Sequence, residues 1–340
     1  MINFVVLILF IFSIKYVSKF FINKNFLLSH SGELHQKFTS TKAIPLIGGS
    51  YLFILFSYIL FELEIFNLFY PLILIFILGL LGDQKKIVSP KKRLLFQFLI
   101  LIFLANGLEL EILNTRIGFV DNLINNKYIN LLFVVFCLLI LINGSNFIDG
   151  LNGLLIGYYL AISIILIKIG YFDFLKFDLE LNIIFFISLI SIFIFNIFNK
   201  LYLGDNGVYV ISLFFGFLLI NYHQNFPYIS PYFIILLFWY PCFENLFSII
   251  RKFKIKRSPI NPDTNHLHQL LFYFLKKKIN KSHLAINNLS SLLIISVNFI
   301  FFYLSSLNLY STNLQLFLII FGVLLYTVVY ILLFRFKYRN

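Results

Sequence analysis

The sequence predicts an all-α protein, a polytopic transmembrane helical bundle, on three observations. Hydrophobic residues fill 60% of its 340 positions. Mean hydropathy is +0.93. Apolar runs long enough to cross a hydrocarbon core of ~30 Å recur from one end of the chain to the other, with short polar breaks between them. A soluble domain is only about half apolar, so the composition excludes one.

Eleven runs read as spans, at 1–22, 44–62, 66–82, 94–108, 130–143, 153–170, 182–199, 207–222, 231–250, 287–305 and 314–334. The fourth is short and carries Gln97 and Asn106, so ten is the lower count. The first does not read as a cleaved signal, because nothing basic precedes its apolar core and no small-residue cleavage site follows. The chain, 1–340, reads as one membrane domain whose longest polar segment is the loop 251–286. Cys137 and Cys242 lie inside apolar runs with no Cys or His at ligand spacing, which assigns them to packing rather than to a disulfide or zinc.

The net charge of +13 does not read as nucleic-acid binding, because the cations cluster at span ends instead of forming one basic face. With each loop numbered by the span it follows, 21 of the 27 Lys and Arg fall in odd loops or at the C-terminus, and only Arg116, Lys127, Lys168 and Lys176 fall in even ones. The positive-inside rule therefore places the odd loops and the C-terminus in the cytoplasm and the N-terminus outside. The acids divide independently. Eight of the 14 lie in even loops as ordinary solvated charge, whereas the odd loops hold Glu33 and then one Asp each: Asp83, Asp149, Asp205 and Asp263. Glu244 lies near the inner end of span 9, and His223 and His283 read as surface residues.

Each isolated Asp sits in a distinctive string. After span 5, Asn143, Asn146 and Asp149 recur at intervals of three, one face of a helix, and Gly150, Asn152 and Gly153 follow, where backbone can approach a ligand closely. After span 7, Asp205 lies within Leu-Gly-Asp-Asn-Gly and leads straight into the next span. It suits either a helix cap or, with the Asn143–Asn152 cluster, an oxygen ligand for Mg²⁺. After span 3, Asp83 precedes Lys85, Lys86, Lys91, Lys92 and Arg93, cations that serve as membrane anchors or as partners for a lipid headgroup or diphosphate. The loop after span 9 carries Asp263, His266 and His268. A third ligand at zinc spacing is missing, so phosphate contacts are the better reading of the two His.

These strings resemble the polyprenyl-phosphate N-acetylhexosamine-1-phosphate transferases, relatives of the phospho-MurNAc-pentapeptide translocase. NGSNFIDGLNGL is similar to the family's NxxNxxDGxDGL, LGDNG to its (L/M)GDxG, SPINPDTNHLHQL to SPFxPDxxHxHH, LLGDQKKIVSPKKRLLFQ to LLDDxxxxSPKxRLLxQ, and AIPLIGG to PxxGG. They stand in the family's order and all lie in odd loops, across roughly Lys37 to Gln269. The basic and His residues expected before span 2 survive only in part, as His35 and Lys37, and three further departures stand out. Gly82 replaces the first Asp of the pair often assigned as base, Asn152 replaces the second Asp of the DGxDG string, and Gln269 replaces the last His.

The resemblance implies transfer of a sugar 1-phosphate, an N-acetylhexosamine 1-phosphate above all, from a UDP-sugar to undecaprenyl phosphate in a bacterial inner membrane, releasing UMP at the cytoplasmic face. It implies Mg²⁺, with Mn²⁺ as the alternative, on Asp205 and Asp83. Catalytic roles fall to Asp83, Asp149, Asp205, His266 and His268, and substrate contacts to Lys37, Lys91, Arg93, Asn143, Asn146, Asn152 and Asp263. A base is dispensable on chemical grounds, since a phosphate monoester with a second pKa near 6 is already mostly a dianion at neutral pH. The partners implied are the nucleotide-sugar, the polyprenyl phosphate and membrane lipid, with a homodimer open. A transporter or flippase is the competing class, but its polar groups would lie near the bilayer midplane and not at span ends on one face. A non-catalytic paralogue is the third reading, prompted by the lost carboxylates.

Overall fold

The computed structural model describes residues 2–29, 43–254, 256 and 264–339, so Lys37 and Asp263 lie outside the described residues. Among these residues there are fifteen helices and no strand: α1 (Ile2–Asn23), α2 (Gly48–Glu62), α3 (Phe66–Asp83), α4 (Pro90–Gly107), α5 (Gly118–Ile124), α6 (Lys127–Ile148), α7 (Leu154–Lys168), α8 (Tyr171–Phe174), α9 (Leu179–Ile197), α10 (Gly204–Asn225), α11 (Pro231–Leu237), α12 (Trp239–Lys254), α13 (Leu267–Lys278), α14 (His283–Ser305) and α15 (Thr312–Arg339). The chain is an all-helical membrane protein.

Local chemistry sets many of the helix starts. Asn126 accepts the N–H groups of Tyr128 and Ile129, Asp178 that of Leu181, and Ser282 that of Ala285, each relieving first-turn donors that have no partner inside the helix. Pro90 and Pro231 open α4 and α11, where a missing N–H costs nothing.

Each predicted span falls on a helix or helix pair, but the helices differ in kind. Among the described residues, α3, α6, α9, α10, α14 and α15 are long and apolar enough to cross a membrane, six in all, or seven if α11 and α12 count as one bent span. α2 and α7 have 15 residues each. That is about 22 Å of helix, short of the hydrocarbon thickness. α10 is the hub, 83% buried along its apolar window, and packs against α2, α3 and α6.

Three expectations are corrected. Span 9 is not one straight helix but breaks by 73° between α11 and α12. Pro241 explains the break: it has no N–H to give to the Leu237 carbonyl one turn back, and that carbonyl instead accepts the hydroxyl of Tyr158 at 2.8 Å. The loop 251–286 contains α13, whose inner face buries His268, Gln269, Leu270, Phe272 and Leu275 while Lys276, Lys277 and Lys278 occupy its last turn, favourable for the helix dipole. His223 is not a surface residue. It is 2% exposed, with Nε2 3.2 Å from the Asn114 carbonyl.

Loop parity is visible as two ends of the bundle. At one end Gly48 N–H donates to Tyr202 O at 2.9 Å and Gly49 N–H to Leu203 O at 3.1 Å, joining the segments after α1 and α9. At the other, Arg116 joins the carbonyls of Tyr310 at 3.0 Å and Tyr228 at 2.8 Å, tying three even loops together. If the odd-loop end is cytoplasmic, reporters active only in the cytoplasm should work when fused after Lys92 or Lys277 and fail near Asp121 or Asp178. The reverse pattern would turn the site to the wrong side of the membrane.

Candidate active site

The odd-loop end brings together Asp83 from the end of α3, Arg93 from the first turn of α4, Asp149 at the end of α6, and Asp205 and Asn206 from the first turn of α10. Asp83 reaches across to cap α10. Its Oδ1 accepts the Asp205 N–H at 2.8 Å and its Oδ2 the Asn206 N–H at 3.2 Å, and the Asn206 side-chain amide donates to the same Oδ2. Asp205 therefore does not cap its own helix. A carboxylate from another helix does, and a negative charge at a helix N-terminus is also favoured by the dipole. Gly204 makes the approach possible. Its φ is +72°, and a Cβ there would lie 2.7 Å from Oδ2 of Asp83.

The Asp205 side chain is turned to Arg93, with Nη1 2.5 Å from Oδ2 and both groups partly exposed. Gly82 faces the same carboxylate: a Cβ added at 82 would lie 2.9 Å from Asp205 Oδ2 and 3.6 Å from Arg93 Nη1. The position of the missing carboxylate is thus in the site, and Arg93 lines it. Restoring the pair by Gly82→Asp would set a second negative charge against Asp205 and compete for Arg93. No gain in turnover is expected; a roughly tenfold increase would show that a general base is limiting after all.

Asp149 terminates α6 and is half-buried, and among the described residues no donor reaches its carboxylate. Burial, then the fields of Asp205 and Asp83, hold its carboxyl well above the usual range. A bound cation would reverse that balance. Next to it, His268 packs on Gly150 so closely that a Cβ there would be 2.3 Å from Nε2. Both ring nitrogens of His268 are buried without a partner among the described residues, and burial followed by the neighbouring His266 pushes its pKa down to about 3, leaving a neutral imidazole. His266 gives Nδ1 to Glu244 at 2.8 Å and stacks on His268 with centroids 5.7 Å apart.

The other expected residues divide. Asn143 donates to Gln97 at 3.0 Å and to the Leu139 carbonyl at 2.8 Å. Asn146 is half-buried and Lys91 exposed. Asn152 is 2% exposed and takes part in packing: its amide donates to Asn199 at 2.7 Å, and its N–H to Asn287 at 2.8 Å. Its Oδ1 is buried with no partner among the described residues. Gln97, Asn206 and Glu244 were not singled out as site residues. Of these, Glu244 carried a readable signal, a carboxylate inside an apolar run.

The donor set bears on a metal. No three His, Cys, Asp or Glu side chains among the described residues form a ready cage. Mg²⁺ needs none, since one or two carboxylates and substrate phosphates suffice. Asp149, with no donor, and Asp205 fit that demand. Asp83, with three donors on its two oxygens, fits it less well.

The chain is similar to several known proteins. The profile of glycosyl transferase family 4 matches residues 65–223. A Methanocaldococcus jannaschii protein named as a glycosyltransferase is 31% identical over 236 residues, covering 67% of this chain and 71% of its own. The undecaprenyl-phosphate alpha-N-acetylglucosaminyl 1-phosphate transferase of Thermotoga maritima is 25% identical over 242 residues, 71% and 70% of the two chains. The decaprenyl-phosphate N-acetylglucosaminephosphotransferase of Mycolicibacterium smegmatis is 27% identical over 195 residues, 50% of this chain and 47% of that one.

Proposed function

The chain belongs to glycosyl transferase family 4, and on that premise we propose that it transfers an N-acetylhexosamine 1-phosphate from a UDP-sugar to undecaprenyl phosphate, with release of UMP, at the cytoplasmic face of a bacterial inner membrane. The observation that carries this reading is the meeting of Asp83, Arg93, Asp149 and Asp205 from separate helices at one end of the bundle, with His268 against the Asp149–Gly150 turn.

Both reactants are anions, so the site must supply positive charge and fixed donors. Arg93 provides one cation in the site, and Lys91 a second on the same first turn of α4. Asp205 and Asp149 are the residues that would hold Mg²⁺, which when bound would neutralise diphosphate charge and charge developing on the leaving UMP. Asp83 keeps α10 in register with α3 and so sets where Asp205 stands. The lipid phosphate attacks the sugar-side phosphorus as a preformed dianion, and no residue need remove a proton first. His268, neutral and packed on Gly150, shapes the turn that carries Asp149.

Purified protein in lipid nanodiscs, given undecaprenyl phosphate, Mg²⁺ and a panel of UDP-sugars, should release UMP with at least one of them. Release with none would leave the non-catalytic or transport readings in its place.

A further inference from the structure

The last turn of α13, the segment 279–282 and the first turn of α14 enclose a cleft of about 420 Å³, whose lining includes Lys276, Lys277, Lys278, Asn280, Lys281 and Ile286. Its volume is that of a small-molecule site, ~300–1,000 Å³, but such sites are mostly apolar and this one is ringed by cations. Residues 264–286 contain no acid. Among the described residues no carboxylate pairs with any of the four lysines, and all four are exposed.

Two ordinary roles account for part of this arrangement. Cations in a last turn suit the helix dipole. Lys277 Nζ also lies 5.1 Å from the ring centroid of Tyr273, and Lys277 and Lys278 lie 5.8 Å and 5.9 Å from that of Phe336. Neither role covers Lys281, which stands beyond α13, and neither calls for a hollow. Four like charges around one hollow repel each other, and an anion entering it relieves all four at once. The positive end of the α14 dipole meets the cleft as well, since α14 begins after Ser282.

Position decides which anion. α14 is long and apolar enough to cross a membrane, and it starts at the cleft, with Leu292 and Leu293 exposed farther along it. The cleft therefore stands at the membrane surface, where lipid headgroups carry their phosphates. It is also apart from the candidate active site. At 1.5 Å per residue, Lys277 is roughly 14 Å along α13 from His268.

We propose that the lysine cleft between α13 and α14 binds the phosphate of an anionic membrane phospholipid. Such a site exists whether or not the chain is a transferase, and a lipid held there ties the end of α13 to the start of α14.

The test is native mass spectrometry of the full chain, released from nanodiscs that hold phosphatidylglycerol and phosphatidylcholine in equal amounts and no polyprenyl phosphate. The wild-type protein should retain phosphatidylglycerol in preference to phosphatidylcholine. Near an anionic headgroup each lysine contributes roughly fivefold in binding, so Lys276→Gln, Lys277→Gln, Lys278→Gln and Lys281→Gln combined should lower that preference roughly tenfold or more. The control combines Lys15→Gln, Lys19→Gln, Lys24→Gln and Lys200→Gln, exposed lysines on α1 and in the loops after α1 and α9, and should alter it less than about twofold. An equal loss in both variants, or no preference in the wild-type protein, overturns the proposal. Millimolar inorganic phosphate should leave the retained lipid in place; its displacement would make the cleft a site for free phosphate instead. If the fourfold variant does not fold, Lys281→Gln alone, compared with Lys24→Gln, decides the point with roughly a fivefold loss.

Discussion

Changing Asp205→Asn is expected to lower transfer roughly a hundredfold or more, because a charged ligand to a catalytic cation contributes several kcal/mol at the transition state. The fold should hardly notice. Asp205 joins the cap of α10 through its backbone N–H, which Asn keeps. What the side chain loses is an ion pair with Arg93 between partly exposed groups, of a kind that contributes about 1 kcal/mol or less. UMP release and thermal melting, measured on the same purified variant, check both halves of the statement. Undiminished turnover would remove Asp205 from the chemistry.

Asp83→Asn should behave differently, losing stability and rate together. The Asp83 carboxylate accepts three donors from the start of α10, and an amide in its place presents an N–H₂ to at least one of them. Turning an acceptor for a charge-assisted bond into a donor facing a donor costs about 2 kcal/mol. Transfer should fall roughly tenfold to a hundredfold as Asp205 shifts with the loosened helix start. The pH profile separates this from a general-base role. If the lipid phosphate is its own nucleophile, turnover rises with the phosphate's ionisation near 6 and then flattens, and the inflection stays in place in Asp83→Asn. Disappearance of the inflection along with most of the activity would make Asp83 a base.

Much of the site could be read from the chain because charge is dear in a membrane and so is seldom placed without reason. The isolated Asp83, Asp149 and Asp205 were visible as candidates for that reason, and the Lys and Arg bias sorted their loops onto one end. Partnership was less visible. That Asp83 caps α10 depends on a contact across 122 positions, which no local pattern encodes. Asn152 stands where the resemblance has a carboxylate, but its N–H₂ donates to Asn199, a partner 47 positions away, while its Oδ1 is buried with no partner among the described residues. The break in span 9 had a local sign in Pro241, but that Tyr158 takes the carbonyl Pro241 leaves is a contact across 79 positions. His223 was misread because a polar side chain near a span end is usually wet, and here the Asn114 segment covers it.

The cap on α10 also bears on the order in which the protein is made. A ribosome finishes α3 well before it begins α10, so the carboxylate of Asp83 is already in place when the unpaired N–H groups of Asp205 and Asn206 emerge. The acceptor waits for its donors, which have no partner inside their own helix. The same sequence of events joins assembly to chemistry: the helix that carries Asp205 has a complete beginning only after it has docked on α3, so a chain that failed to dock would lack a formed site rather than hold a misaligned one.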